Sequence, residues 1–257
     1  MPHQNDEIRD ALNRHGVFLK KAILERIPRD GLEIHEEIGS SFGGTRVADI
    51  VAIQKFPDQR KLYLVLECKR VADDRRWIFF RHMDRQVRVA RKVVSGNRQS
   101  LFKTELDTSC SEGFEFPLRD KKESPVADND PVFKAASQLS AAYLGIAQER
   151  WLNRSREGVP EYFVPILVTT AQLSIVLNRF DAAPVTTGRI EEDLRLKDVP
   201  ELVLKHPFPT PAGFDDDFRR KTGDPWHQRF TESINIVRAD HLPDFLHGDR
   251  REIFVDL

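Results

Sequence analysis

The sequence predicts an α/β fold in which helices flank a mixed central β-sheet, with an elaboration at the C-terminal end. Three features support this prediction. Apolar residues recur at helical spacing at the start of the chain and again over Pro131–Glu149. Short apolar or alternating runs, typical of strands, lie between and after these segments. The most apolar run, Lys61–Lys69 (KLYLVLECK), predicts a central strand that is buried on both faces.

The composition indicates a globular protein with a core of its own. The 257 residues are 40% hydrophobic and 32% charged, and we expect a single domain over 1–257, with its motif-bearing core at about 5–180 and the elaboration at about 181–257. Two cysteines do not make a disulfide framework or a zinc site. The N-terminus has no signal-peptide pattern, and the longest apolar runs fall far short of a membrane span. A cytoplasmic protein without a membrane segment is expected.

The first part of the chain predicts one helix followed by strands. The helix covers the first 27 residues, is kinked at Gly16 and is ended by Pro28. The glycine-rich segment Gly39–Gly44 predicts a turn between the first two strands. Strands are predicted at Leu32–Ile38, Val47–Gln54, Lys61–Lys69 and Trp77–Phe80.

The second part predicts a more varied succession of elements. An amphipathic helix is predicted over Arg81–Ala90, and the polar, proline-containing stretch 95–130 is predicted to be a long loop. The helix over Pro131–Glu149 follows, and 180–228 is predicted to be largely irregular. The remaining elements are strands at Tyr162–Thr169, Leu173–Asn178, Leu202–Lys205 and Ser233–Val237, and a short closing helix at His241–Leu246.

Charged residues at the end of the most apolar strand point to chemistry. In a strand, residues two apart share a face, so Glu67 and Lys69 project together while Cys68 points away. If the strand that carries Asp49 pairs with this one as a hairpin, its carboxylate reaches the same pocket. Buried charges need partners or a metal, and two carboxylates with a backbone carbonyl suit Mg²⁺. The alternative is an exposed strand end with an ordinary Glu/Lys ladder.

The runs RVADIVAI and KLYLVLECKR resemble the PD-(D/E)xK nuclease superfamily, in which the Asp lies on one strand and the D/E-x-K on the next. Members commonly carry a preceding helix and a later helix with a glutamine, and Gln138 matches that later position. The resemblance covers about residues 5–150 and implies a restriction-endonuclease-like core. The chain departs from the pattern at Ala48, where proline is conventional, and at Tyr143, one residue too far from Gln138 for the glutamine–tyrosine subgroup.

The resemblance implies a metal-dependent endonuclease, with Mg²⁺ as cofactor and Mn²⁺ as its substitute. Asp49, Glu67 and the Cys68 carbonyl would bind the ion, and Lys69 would position or activate water. Gln138 would orient Lys69 or contact a phosphate. DNA is the expected substrate, cut to leave 5′-phosphate ends, and pairing of two copies as a homodimer is a further expectation. A further acidic residue is left open among Glu7, Glu25, Glu36 and Glu37.

A basic segment suggests where nucleic acid binds. Between Lys69 and Lys103 there are eleven Lys or Arg residues and three Asp, which is typical of a phosphate-facing surface. We expect Arg85, Arg88 and Arg91 to contact the nucleic acid. The alternative is a solvated face balanced by acids elsewhere. For the whole chain, the alternative function is a non-catalytic nucleic-acid-binding or assembly module on the same fold.

Overall fold

In the part of the chain that the structure describes, twelve strands form one mixed β-sheet. The computed structural model describes residues 16–40, 46–57, 59–81, 86–93, 100–106, 109–117, 130–152, 161–177, 193–205 and 233–252. Within these ranges the helices are α1 (Val17–Arg26), α2 (Pro131–Leu152) and α3 (Leu242–Glu252). The strands are β1 (Leu32–Ser40), β2 (Arg46–Lys55), β3 (Lys61–Lys69), β4 (Arg75–Arg81), β5 (Gln86–Val93), β6 (Ser100–Leu106), β7 (Ser109–Pro117), β8 (Glu161–Thr169), β9 (Gln172–Val176), β10 (Leu196–Val199), β11 (Glu201–Lys205) and β12 (Ser233–Arg238).

The order of the strands combines antiparallel and parallel neighbours. Ten of them lie in the order β1-β2-β3-β8-β12-β11-β7-β4-β9-β10, while β5 pairs with β6 and β8. β2 is antiparallel to both of its neighbours, β1 and β3. By contrast, β8 runs parallel to β3, and β12 runs parallel to β8. Parallel neighbours need a long crossover, and α2 lies in the connection that leads to β8. The predicted mixed α/β architecture is confirmed.

Two apolar clusters cover the two faces of the sheet. On β3, Tyr63 and Val65 belong to the cluster that contains the buried face of α2. Leu64 and Leu66, on the opposite face, pack in the cluster formed with α1 and α3. Because side chains alternate along a strand, β3 supports both layers, and each fully buried side chain of this size contributes about 1.5–3 kcal/mol. The prediction that β3 is central and buried on both faces is confirmed.

The sequence prediction for residues 81–90 is wrong. Arg81 ends β4, and residues 86–90 belong to β5, which pairs antiparallel with β6 and with the start of β8. Val87 and Val89 repeat at a spacing of two, the period of a strand, and β-branched residues favour strands. The short segment therefore follows its tertiary partners rather than its helical amphipathicity.

The long loop predicted over 95–130 also contains strands. β6 pairs with β5, and β7 lies between β4 and β11. The polar character of β7 is satisfied by its neighbour: the indole Nε1 of Trp77 donates to Glu115 at 3.1 Å, and Arg75 lies 3.7 Å from the same carboxylate. Partners on β4 thus stabilise a strand whose own residues do not predict one.

The helices begin and end where local chemistry directs. In the described residues α1 starts after Gly16, and its C-cap Ile27 is extended because Pro28 follows. The Asp130 carboxylate caps α2 by accepting the backbone N–H of Val132 at 2.7 Å and also accepts that of Glu115 at 3.2 Å. Asp130 therefore joins the start of α2 to β7. None of the helices within the described ranges has the length and apolar character to cross a membrane.

Candidate active site

The pairing of β2 and β3 brings two acidic residues together. The β2–β3 ladder ends at the pair Ile50–Leu66, and Asp49 and Glu67 are the first residues beyond it. Ala48 and Ile50, which flank Asp49, pack in different apolar clusters, so β2 departs from regular alternation at Asp49. At this point the side chain of Asp49 replaces the backbone as a partner: its Oδ2 accepts the backbone N–H of Cys68 at 2.7 Å. The Asp49 carboxylate is therefore held by the backbone N–H of Cys68, the residue that follows Glu67.

Alternation along β3 separates Cys68 from its two neighbours. Cys68 is buried in the cluster of α1 and α3, so Glu67 and Lys69 lie on the opposite face, toward α2. Burial, together with the negative charges of Asp49 and Glu67, raises the pKa of the Cys68 thiol. The thiol therefore stays protonated and contributes packing, while its backbone belongs to the site.

The end of β3 is fixed by β8. Lys69 pairs in register with Thr169, and the carbonyl of Lys69 accepts the backbone N–H of Thr170 at 3.3 Å. The Thr170 hydroxyl then accepts the N–H of Val71 at 2.8 Å and donates to the Val71 carbonyl at 3.0 Å. These bonds hold the backbone on the C-terminal side of Lys69, so the lysine projects from an ordered strand end.

The electrostatics of Glu67 are unusual for a carboxyl group. Burial, together with the negative charge of Asp49, raises the pKa of Glu67 to about 8, and the positive charge of Lys69 opposes both effects. The ordinary value is 4.5, so at neutral pH the group retains its proton in a large fraction of molecules. A cation beside the two carboxylates would favour their charged forms.

Asp49 lies in a similar but better compensated environment. Burial raises its pKa, whereas the hydrogen bond from the Cys68 backbone and the positive charge of Lys20 lower it. The negative charge of Glu37 has a smaller, opposite effect. Glu37 lies between the β1–β2 pairs Glu36–Ile50 and Ile38–Ala48, which places it across from Asp49.

Lys20 is the residue of this region that sequence reasoning missed. It lies on α1 with its side chain only 10% exposed, and its Nζ is 2.7 Å from Glu37 and 3.5 Å from Glu36. Among the four candidate further acids, these two lie near the site. Glu25 is exposed on α1, and Glu7 lies outside the described residues. A lysine inside a helix is an ordinary sequence feature, so only the fold reveals this ion pair.

The donor set fits a hard divalent cation. Two carboxylates are present, and in an extended strand the carbonyl of Cys68 points to the same side as its N–H, which faces Asp49. Oxygen donors of this kind suit Mg²⁺, which usually keeps several of its waters. In the described part of the chain no three His, Cys, Asp or Glu side chains are grouped to hold a metal ion. The groups that would hold such an ion are Asp49, Glu67 and the Cys68 carbonyl.

No family model, curated protein or solved structure matches the chain. The geometry of the site itself brings together Asp49, Glu67 and Lys69. Gln138 lies on α2 with its side chain exposed, and no hydrogen bond to Lys69 is found among the described residues. Its role stays a prediction.

The expected nucleic-acid contacts are placed only in part. Arg88 and Arg91 belong to β5, and Arg85 lies outside the described residues. From residue 86 onward, the helix predicted over Arg81–Ala90 is replaced by a strand, which carries Arg88 and continues through Arg91. Contact of these three arginines with nucleic acid therefore stays a prediction.

Proposed function

We propose that the chain is a Mg²⁺-dependent nuclease that hydrolyses phosphodiester bonds of nucleic acid, with DNA as the expected substrate. One observation carries the proposal: Asp49 and Glu67 meet where the β2–β3 pairing ends, and Lys69 follows on the same face as Glu67. Two buried acids beside a lysine form a costly arrangement for packing alone, because unpaired buried charge is destabilising. A cation and a phosphate would give each of these charges a partner.

The order of the elements supports the same function. A helix precedes three antiparallel strands, the second strand carries the Asp, the third carries Glu-x-Lys, and a later helix carries Gln138. This is the order that the PD-(D/E)xK resemblance implies. We therefore interpret α1 to β8 as containing a restriction-endonuclease-like core and the later elements as the elaboration. In the described part, β12 extends this sheet beyond β8.

Each residue has a chemical task in the proposed reaction. Asp49 and Glu67 supply negative oxygen atoms that bind a cation and orient it, and the Cys68 N–H fixes the direction of the Asp49 carboxylate. A bound Mg²⁺ supplies Lewis acidity and lowers the pKa of water. As an ammonium group, Lys69 would place positive charge where the phosphate gains negative charge; as a neutral amine, it would instead accept a proton from the attacking water.

The experiment is incubation of the full chain with plasmid DNA and Mg²⁺ or Mn²⁺. We expect cation-dependent cleavage by the wild type and loss of cleavage in Glu67→Ala and Lys69→Ala. Lys61→Ala is a matched control, because Lys61 lies at the other end of the same strand. Cleavage that persists in both site variants would contradict the proposal. Salt-sensitive DNA binding without cleavage by the wild type would instead support the non-catalytic module.

A further inference from the structure

We propose that Lys20 is a positioning residue of this site, whose buried ammonium group holds Glu37 and offsets the charge around Asp49, so that it weakens the attraction of the site for a divalent cation. The inference rests on the proposed function, since it assumes that Asp49 and Glu67 bind the cation. It assigns a role to an ion pair that connects the first helix with the strands of the site.

The position of Lys20 is set by the packing of α1. Leu19, Ile23 and Leu24 on the same helix belong to the apolar cluster that also contains Leu66 and Cys68 of β3. This packing anchors the backbone of Lys20 against the strands that carry the acids. The lysine side chain is 10% exposed, and a buried ammonium group needs ionic partners to offset its lost hydration.

Those partners lie on β1, beside the Asp49 strand. The Nζ of Lys20 is 2.7 Å from Oε1 of Glu37 and 3.5 Å from Oε2 of Glu36. Glu37 has a φ of 54°, a left-handed conformation that is uncommon for residues other than glycine. The strand therefore departs from regular geometry at the residue that meets Lys20, across from Asp49.

The charges around Asp49 predict a result that a purely structural role of Lys20 does not. Asp49, Glu67 and Glu37 contribute negative charge, and Lys20 and Lys69 contribute positive charge. Removing the charge of Lys20 makes the surroundings of the cation more negative, whereas removing the charge of Glu37 makes them more positive. Cation affinity should therefore change in opposite directions in the two variants.

The test is a titration of the full chain with Mn²⁺ in the absence of nucleic acid. Electron paramagnetic resonance measures the bound Mn²⁺ at each step of the titration. We expect Lys20→Met to bind Mn²⁺ about fivefold more tightly and Glu37→Gln to bind it about fivefold more weakly, in line with couplings between neighbouring charges. Lys20→Arg keeps the charge and should resemble the wild type. Lys21→Gln is the matched control, because Lys21 is 60% exposed and pairs with Glu36 at 3.3 Å.

The outcomes separate this inference from the proposed function. Weaker binding in both Lys20→Met and Glu37→Gln, or no change in either, would overturn the role of Lys20. If Lys20→Met does not fold, as judged by circular dichroism, Glu37→Gln decides alone, because its side chain is 73% exposed and its replacement should be tolerated. Failure of Glu67→Gln to weaken Mn²⁺ binding would instead contradict the proposed cation site.

Discussion

The Oδ2 atom of Asp49 accepts the backbone N–H of Cys68 at 2.7 Å, and Cys68 is the residue between Glu67 and Lys69. One hydrogen bond thus joins the Asp49 side chain to the backbone of the residue that lies between Glu67 and Lys69. Bonds of this charge-assisted kind are about twice as strong as neutral ones. The Asp49 carboxylate is therefore fixed relative to the backbone of Glu67 and Lys69 before a cation binds, as the proposed active site requires.

This bond predicts different consequences for two substitutions of Asp49. Asparagine keeps an oxygen that can accept the Cys68 N–H but loses the charge, whereas alanine loses both. We expect cation-dependent cleavage to fall at least about 100-fold in both variants, because each removes an anionic ligand. Asp49→Ala should also be less stable than Asp49→Asn by about 1–3 kcal/mol, since it leaves a buried N–H unsatisfied.

Urea denaturation of both variants in the presence of a chelator measures this difference, and cleavage assays measure the loss of activity. Equal stability of the two variants would mean that the Cys68 bond does not hold the site together. Wild-type cleavage by Asp49→Asn would remove Asp49 from the chemistry.

The raised pKa of Glu67 predicts how stability depends on pH. Its folded value is about 8, against 4.5 in the unfolded chain. Between these values the unfolded chain has released the proton and the folded chain still holds it, so the free energy of unfolding falls as pH rises. Below pH 4.5 both states are protonated and the penalty is absent; above pH 8 it is complete.

The Glu67→Gln variant isolates this effect. Each pKa unit corresponds to about 1.4 kcal/mol, so the variant should gain on the order of a few kcal/mol relative to the wild type between pH 5 and pH 8. Denaturation in the presence of a chelator at both pH values measures the change, because other groups titrate alike in the two proteins. Parallel pH profiles would contradict the raised pKa of Glu67.

The strands that the sequence predicted well are those whose pattern has one interpretation. The predicted bounds of β3 match the observed Lys61–Lys69, because a run that is apolar on both faces and ends in charged residues leaves little choice. By contrast, β7 was missed. Its glycine and glutamates do not favour a strand, and its stability comes from β4 and β11, which are distant in sequence.

For the candidate site, too, the local sequence pattern predicted only part of the arrangement. Alternation along β3 sufficed to predict that Glu67 and Lys69 share a face, whereas the hairpin with the Asp49 strand was only a condition in the sequence analysis and is observed in the fold. Lys20 and Lys21 look alike in sequence, yet one is buried against Glu37 and the other is exposed. The difference arises from how α1 packs on the sheet, which local pattern does not specify.

A substitution at Gly113 tests how β7, the strand that the sequence did not predict, packs against β4. It lies across from Phe79 in the β4–β7 pair, and a Cβ added at Gly113 would come within 2.3 Å of the buried Phe79 ring. We expect Gly113→Ala to destabilise the protein by about 1–3 kcal/mol, because the ring has to move within a packed core. Thermal unfolding measures the loss.

Gly16→Ala is the matched control for Gly113→Ala. At Gly16 the nearest atom to an added Cβ is the Cys68 carbonyl oxygen at 3.9 Å, an ordinary contact. The change in stability should stay below about 1 kcal/mol. A loss of similar size in both variants would show that the Phe79 contact is not the cause.

Two substitutions of Lys69 distinguish its two possible roles, charge stabilisation and proton transfer. Methionine removes its charge, whereas arginine keeps the charge but does not give up or accept a proton near neutral pH. In Lys69→Met we expect cleavage to fall by about 10²- to 10⁴-fold, while Mn²⁺ binds at least as tightly, because a positive charge has left the neighbourhood of Glu67. Weaker Mn²⁺ binding would mean that the lysine acts by supporting the cation site.

Single-turnover cleavage by Lys69→Arg then separates charge stabilisation from proton transfer. If the ammonium group acts through its charge on the phosphate, arginine should recover a measurable part of the lost rate. If Lys69 accepts a proton from the attacking water, arginine should be as slow as methionine, and raising the pH should recover activity in both, because hydroxide becomes available without the base. Full activity in Lys69→Met would exclude both roles and leave Asp49 and Glu67 as the working part of the site.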